Sequence, residues 1–206
     1  MTVGSRYCTD CKNKEWSFRL ARAPFIYCNN VKLLIHRLKY GNCKYLAKEL
    51  SVYLADTYYE HSLMSDIITF VPMFFKKKRK RGYNQAEELA RALGKITGCE
   101  VKELLIKTHE TKSNARQNAK QREHSVTGTI AMARNSEDTP INIKGKRILL
   151  IDDVFTTGAT ARECGKVLIA AKAAEVNVLT LATSKQSDKP SLKSVSELKD
   201  LFTENF

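Results

Sequence analysis

The stretch that most constrains the fold is residues 147–160, Arg-Ile-Leu-Leu-Ile-Asp-Asp-Val-Phe-Thr-Thr-Gly-Ala-Thr. Ile148 to Ile151 are consecutive apolar residues bounded by polar ones, the pattern of a strand buried on both faces. Asp152 and Asp153 stand where such a strand would end. A small hydroxylated loop follows, Thr156-Thr157-Gly158-Ala159-Thr160, and then a helical stretch from about Ala161 to Ala174.

In open parallel sheets, ligands bind beyond the carboxyl ends of the strands. A loop that opens a helix there presents unpaired backbone N–H groups at the positive end of the helix dipole. Gly158 lets the backbone approach a bound group, and Thr156, Thr157 and Thr160 add hydroxyl donors. That combination suits a monophosphate dianion. The two aspartates would repel phosphate, so they are expected to face vicinal ribose hydroxyls. The motif therefore asks for a ribose 5-phosphate, against the plainer alternative of a strand-turn-helix with solvated aspartates. A Walker loop is a poor rival, because no Gly-Lys-Ser/Thr follows a Gly-x4 spacing here.

A chain of 206 residues accommodates one sizeable domain and a small appendage. Hydrophobic content of 43% is ordinary for a globular protein, and no uninterrupted apolar run reaches the ~20 residues of a membrane span. The first residues lack the apolar core of a secretory signal, so a cytoplasmic location is expected. The net charge of +13 points to polyanionic ligands: nucleotides, diphosphates or nucleic acid. Six cysteines, mostly at irregular spacing, do not suggest a disulfide framework.

Cys8 and Cys11 form a Cys-x2-Cys knuckle, half of a tetrahedral zinc site, with Cys28 the nearest further ligand. Zn²⁺ on this partial set and plain reduced thiols both stand as readings. Residues 24–61 read as largely helical, with one apolar stripe on Val31, Leu34, Ile35 and Leu38 and another on Leu46, Leu50 and Leu54. Lys39-Tyr40-Gly41 separates them, either bordering a site or closing a helix at glycine.

Asp66 to Val71 reads as a strand, and a loop with six successive cations, Lys76 to Arg81, follows. Gly82-Tyr83-Asn84-Gln85 opens a helix through about Ile96, ending at Gly98, with Asn84 a candidate N-cap. A basic loop between a strand and a helix start suits an anion, and Lys77, Arg79 and Arg81 are its candidate diphosphate ligands. Residues 107–124 are polar and weakly periodic, the pattern of a lid loop. Gly128 to Met132 and Val176 to Ala182 read as further strands, and the tail carries a short amphipathic helix on Leu192, Val195, Leu198 and Leu201.

The 147–160 stretch resembles the phosphoribosyl-diphosphate (PRPP) signature of type I phosphoribosyltransferases. Across residues 7–184 the chain resembles the ComF family, of the ComFC/GntX type. Cys8-x2-Cys11 matches part of the family's amino-terminal zinc ribbon, and Lys39-Tyr40-Gly41 its Lys-Tyr-x-Gly-like element. Val71-Pro72 and Arg81-Gly82-Tyr83-Asn84-Gln85 match its Val-Pro and Arg-Gly-Phe-Asn-Gln signature, and Arg122 to Val126 loosely match Arg-x-x-Asn-Val. The ribbon's first Cys-x2-Cys is absent, and Asn114 stands where the family usually has Gln.

The resemblance implies an α/β, type I phosphoribosyltransferase-like parallel sheet flanked by helices, with a partial zinc-ribbon appendage. The expected division is 1–28 for the ribbon remnant, 29–184 for the phosphoribosyltransferase-like domain and 185–206 for the tail. It implies PRPP with Mg²⁺ as ligand: Asp152 and Asp153 on the ribose hydroxyls, Thr156 to Thr160 on the 5-phosphate, and Lys77, Arg79 and Arg81 on diphosphate. The expected chemistry is displacement at the anomeric carbon with diphosphate leaving. The implied role is in natural transformation, handling incoming single-stranded DNA together with competence DNA-processing proteins. Alternatives are a single-stranded DNA-binding adaptor, with Phe74, Phe75 and Tyr83 as stacking surfaces, and a nucleobase-salvage phosphoribosyltransferase.

Overall fold

The computed structural model describes residues 15–110 and 126–184. In chain order the elements are β1 (Leu20–Arg22), β2 (Phe25–Ile26), α1 (Asn29–Tyr40), α2 (Leu46–Glu60), β3 (Ile67–Phe70), α3 (Phe75–Arg81), α4 (Gln85–Thr97) and β4 (Glu100–Val101). Then follow β5 (Leu105–Lys107), β6 (Ile130–Met132), β7 (Arg147–Phe155), α5 (Ala159–Ala170) and β8 (Glu175–Thr183).

The main sheet runs β1-β8-β7-β3-β4, with β2 also on β8, and every pairing in it is parallel. Parallel strands buried on both faces need apolar side chains on both. β7 and β8 meet that demand, with Ile148 to Ile151 and Val176, Val178, Leu179 and Leu181 all nearly inaccessible. On one face Ile68, Phe70, Leu149 and Ile151 pack against the stripes of α1, α2 and α4. On the other, Ile67, Ile148, Leu150 and Val178 pack with Cys164 and Leu168 of α5 and with Leu105 and Ile130 of the β5–β6 hairpin.

From β3 the chain passes to β4 on one side and later to β7 on the other. That reversal opens a crevice beyond the carboxyl ends of β3 and β7, where ligands bind in open α/β sheets.

Four local expectations are corrected. β7 continues to Phe155, because β8 offers ladder partners as far as Thr183; the aspartates lie inside the strand rather than at its end. α5 starts at Ala159 and ends at Ala170. The basic run is helix α3 rather than a loop, closed by Gly82 in the left-handed region at φ 88°. Phe25 and Ile26, within the expected helical stretch, are strand β2; β1 and β2 thus join the main sheet from within the segment assigned to the appendage. Cys8, Cys11, the expected lid from residue 111 onward and the tail from 185 lie outside the described residues. Among the described residues, no helix is long and apolar enough to cross a membrane.

Candidate active site

A strand sends successive side chains to opposite faces, and β7 does this with its two carboxylates. Asp153 turns to the α1–α4 face, only 5% exposed. Its Oδ2 accepts from Lys39 Nζ at 2.8 Å and from Gln85 Nε2 at 2.8 Å. Burial alone would depress the Lys39 ammonium; Asp153 beside it, with Asp152 farther off, carries it above its ordinary value instead.

The elements around Asp153 explain the Arg-Gly-Tyr-Asn-Gln stretch residue by residue. Arg81 donates to the Gln85 side-chain carbonyl and lies 4.8 Å over the Tyr40 ring. Gly82 ends α3, and the Tyr83 phenol donates to the Leu38 carbonyl, tying α4's entry to α1. Asn84 caps α4 by accepting from the Ala86 amide at 3.1 Å and donates to the Val71 carbonyl at 3.0 Å. Gln85 is thereby set with its amide on Asp153.

Asp152 turns to the other face and lines a cavity of about 90 Å³ at the crevice. Val71 to Phe74, Lys77, Asn84, Gln85 and Lys107 complete the wall. Asp152 keeps some surface toward the cavity, but its carboxylate is closely surrounded by protein. Its Oδ1 accepts from the Asp153 amide at 2.8 Å. Burial first and Asp153 second push the Asp152 carboxyl up to about 7, against that hydrogen bond and the pull of Lys39 and Lys107. Lys107 is held below its usual value by burial and by Lys77, with Asp152 opposing. Cys164 of α5 belongs to the same neighbourhood, its thiol pushed upward by burial and by Asp152. Two lysines and one carboxylate at a cavity suit a ligand with an anionic end and a hydroxylated part. Among the described residues, no three His, Cys, Asp or Glu side chains converge on a metal position.

The Thr156–Thr160 turn is not part of that cavity's wall. It forms the entry to α5, with Thr157 Oγ1 accepting from the Ala159 amide at 3.4 Å and Thr160 already in the first helical turn. Gly158 sits at φ 76°, and a Cβ there would fall 2.5 Å from the Trp16 ring and 2.7 Å from the Phe155 ring. Only glycine meets both conditions. Trp16, Phe18 and Phe155 form an aromatic cluster behind the turn, with ring centroids 5.0 to 6.2 Å apart.

The structure thus brings Asp152 and Lys77 together at one cavity and sends Asp153 to the opposite face. Arg81 is engaged by Tyr40 and Gln85, and Arg79 is exposed outside the cavity wall. Cys28 is a half-buried free thiol preceding α1. Tyr83 is buried, which removes it as a stacking surface. Sequence reasoning missed Lys107, Trp16 and the contact of Lys39 with Asp153. Lys107 was hidden in a polar stretch that reads as loop, although Leu104 to Ile106 form a short apolar run before it. Lys39 had a signal, since it stands in the Lys-Tyr-Gly element, but its partner lies more than a hundred residues away.

A family model described as phosphoribosyl transferase domain matches residues 79–206, more than half of the chain. The chain belongs to the phosphoribosyl transferase domain family. Within it, the chain is similar to competence protein F of Haemophilus influenzae, 27% identical over 184 residues, covering 86% of this chain and 79% of that protein. It is similar also to competence protein ComFC of Streptococcus pneumoniae, 29% identical over 184 residues, covering 86% and 75%. These relatives bear out the ComF resemblance. Among solved structures, the glutamine PRPP amidotransferase of B. subtilis aligns with a TM-score of 0.43 at 22% identity, over 75% of this chain and 32% of that one. The type I phosphoribosyltransferase architecture expected of the family is the one observed, a parallel sheet with helices on both faces.

Proposed function

We propose that this ComF-family phosphoribosyltransferase-like chain binds PRPP with Mg²⁺ at the crevice between β3 and β7. The observation that carries the reading is Asp152, a carboxylate lining a cavity shared with Lys77 and Lys107. Asp152 accepts from a ribose hydroxyl. Lys77 and Lys107 neutralise diphosphate, and Lys77 is one of the cations the sequence marked for that role. The amides and hydroxyls of Thr156 to Thr160 take the 5-phosphate at the α5 entry. Mg²⁺ is carried chiefly by the ligand's own oxygens, in keeping with a cavity wall that offers one carboxylate between two lysines. When bound, it neutralises charge on the departing diphosphate. The chain's part in displacement at the anomeric carbon is to orient the ribose through Asp152 and to hold the leaving group's charge on Lys77 and Lys107.

The same reading gives the chain a cytoplasmic role in natural transformation, acting on incoming single-stranded DNA; the names of the two competence relatives support it. Calorimetry with PRPP and Mg²⁺ tests the ligand. Saturable binding that Lys77→Ala weakens about tenfold is expected, and no binding by the wild-type chain would reject the reading.

A second reading, direct binding of single-stranded nucleic acid, is favoured by one surface. Lys76, Arg79 and Lys80 are exposed on α3 beside Phe75, which is 59% exposed. Affinity for an oligonucleotide should fall steeply with salt, and replacing these three cations by alanine should flatten the slope. Absence of binding at low salt would exclude it.

A further inference from the structure

We propose that Lys39 is a positioning residue of the ribose site: its ion pair with Asp153 fixes β7 so that the Asp153 amide aims the Asp152 carboxylate into the cavity. The proposal rests on the reading of that cavity as a ribose phosphate site.

Asp153 is held from two directions. Its side chain receives Lys39 Nζ and Gln85 Nε2 on the same oxygen, each at 2.8 Å. Its backbone N–H donates to Asp152 Oδ1, also at 2.8 Å. Displacing the side chain therefore displaces the amide that orients the neighbouring carboxylate. The clamp closes on itself: Gln85 accepts from Arg81, and Arg81 lies on the ring of Tyr40, the residue after Lys39. Five residues from α1, α3, α4 and β7 thus share one circuit. Arg81 belongs to it, and its guanidinium is spent on positioning rather than on diphosphate.

The charge at the centre needs its partner. The Asp153 side chain is 7% exposed and that of Lys39 24%, and removing the cation would leave a buried charge uncompensated. Among the described residues, the charged and titratable groups facing the two aspartates are Lys39 from α1, with Tyr27 beside it, Lys107 from β5, with Lys77 beside it, and Cys164 from α5. α4 contributes the neutral Gln85. Lys107 lines the cavity with Asp152, whereas the ion pair of Asp153 is with Lys39.

The test uses the full chain and three variants: Lys39→Met, Lys39→Arg and Lys39→Met combined with Asp153→Asn. In ligand-free thermal unfolding from pH 5 to pH 8, the deficit of Lys39→Met should widen as pH rises. Without its cation, an ionised Asp153 is an uncompensated buried charge, and that cost grows as pH rises. The double variant, with no charge to bury, should show a flat difference from wild type, and Lys39→Arg should stay close to wild type. In calorimetry at pH 8 with PRPP and Mg²⁺, Lys39→Met should bind at least tenfold more weakly, with Lys39→Arg restoring most of the affinity.

A Lys39→Met deficit equal at every pH would mean that the lysine stem merely packs, and would overturn the clamp. Full PRPP affinity in Lys39→Met would overturn the positioning role while leaving the ligand assignment intact. Failure of the wild-type chain to bind PRPP would reject the ligand assignment instead, and the pH series would still decide the clamp. A Lys39→Met chain that does not fold and is not rescued by Asp153→Asn would also count against it.

Discussion

On the α1–α4 face of the sheet, Asp153 finds a cation and an amide from the chain itself, both at 2.8 Å. One residue earlier, Asp152 finds one backbone amide and a cavity beyond the end of β3, with lysines on the cavity wall. The two carboxylates are neighbours in sequence and opposites in environment. The difference teaches that an Asp-Asp pair on a central strand is divided by the pleat: one carboxylate is tied into the scaffold, the other lines a cavity. The original expectation gave both aspartates the same role.

The comparison breaks most sharply at Asp153. Replacing it with Ala leaves the part-buried Lys39 ammonium and the Gln85 amide without their acceptor, and should cost about 3 kcal/mol of stability in denaturant unfolding. Asp152→Asn in the same assay should cost nothing at neutral pH. Equal losses from the two substitutions would erase the distinction drawn between the faces.

Next in size is the α5 entry behind Asp152. Gly158→Ala must hold a side chain at φ 76° and push back Trp16 and Phe155. A loss of about 2 kcal/mol is expected in thermal or denaturant unfolding, together with a change in emission of Trp16, the chain's single tryptophan. A neutral substitution would mean that the aromatic cluster does not brace the turn.

A pH series sharpens the contrast more gently. The Asp152 carboxyl sits near 7 in the folded chain against an ordinary value of 3.8. Its folded-state pKa is raised, so the stability tied to its proton is complete at acid pH and lost as pH rises through about 7. Asp152→Asn should therefore match wild type near pH 4 and gain on it steadily toward pH 8. A difference that does not vary with pH would mean that Asp152 ionises at ordinary cost.

The smallest effect is predicted on the outer face of α3. Alanine at Lys76, Arg79 and Lys80 should move stability by less than about 0.5 kcal/mol and leave PRPP affinity intact, separating the exposed cations from Lys77 on the cavity wall.

Much of this fold was legible because its signals are local. Four apolar residues before Asp152 announced a central strand, Asn84 and Gly98 marked both ends of α4, and the apolar stripes marked α1 and α2. The partition of the aspartates was legible in principle as well, since the period of a strand is two; it was missed because β7 was expected to stop at Ile151. Its extension depends on the length of β8, which is tertiary information. The basic run misled for a different reason. Six cations carry no apolar stripe, so nothing in residues 76–81 distinguishes a short helix from a loop. The contacts of Lys39 and Lys107 join elements far apart in the chain, and no periodicity encodes them.

The most direct test of the central claim, that Asp152 and not Asp153 faces the ligand, is calorimetric titration of PRPP and Mg²⁺ into wild type and Asp152→Asn side by side. Binding at least tenfold weaker in Asp152→Asn, with the variant no less stable than wild type, is the predicted result. Undiminished affinity in a folded Asp152→Asn chain would contradict the account.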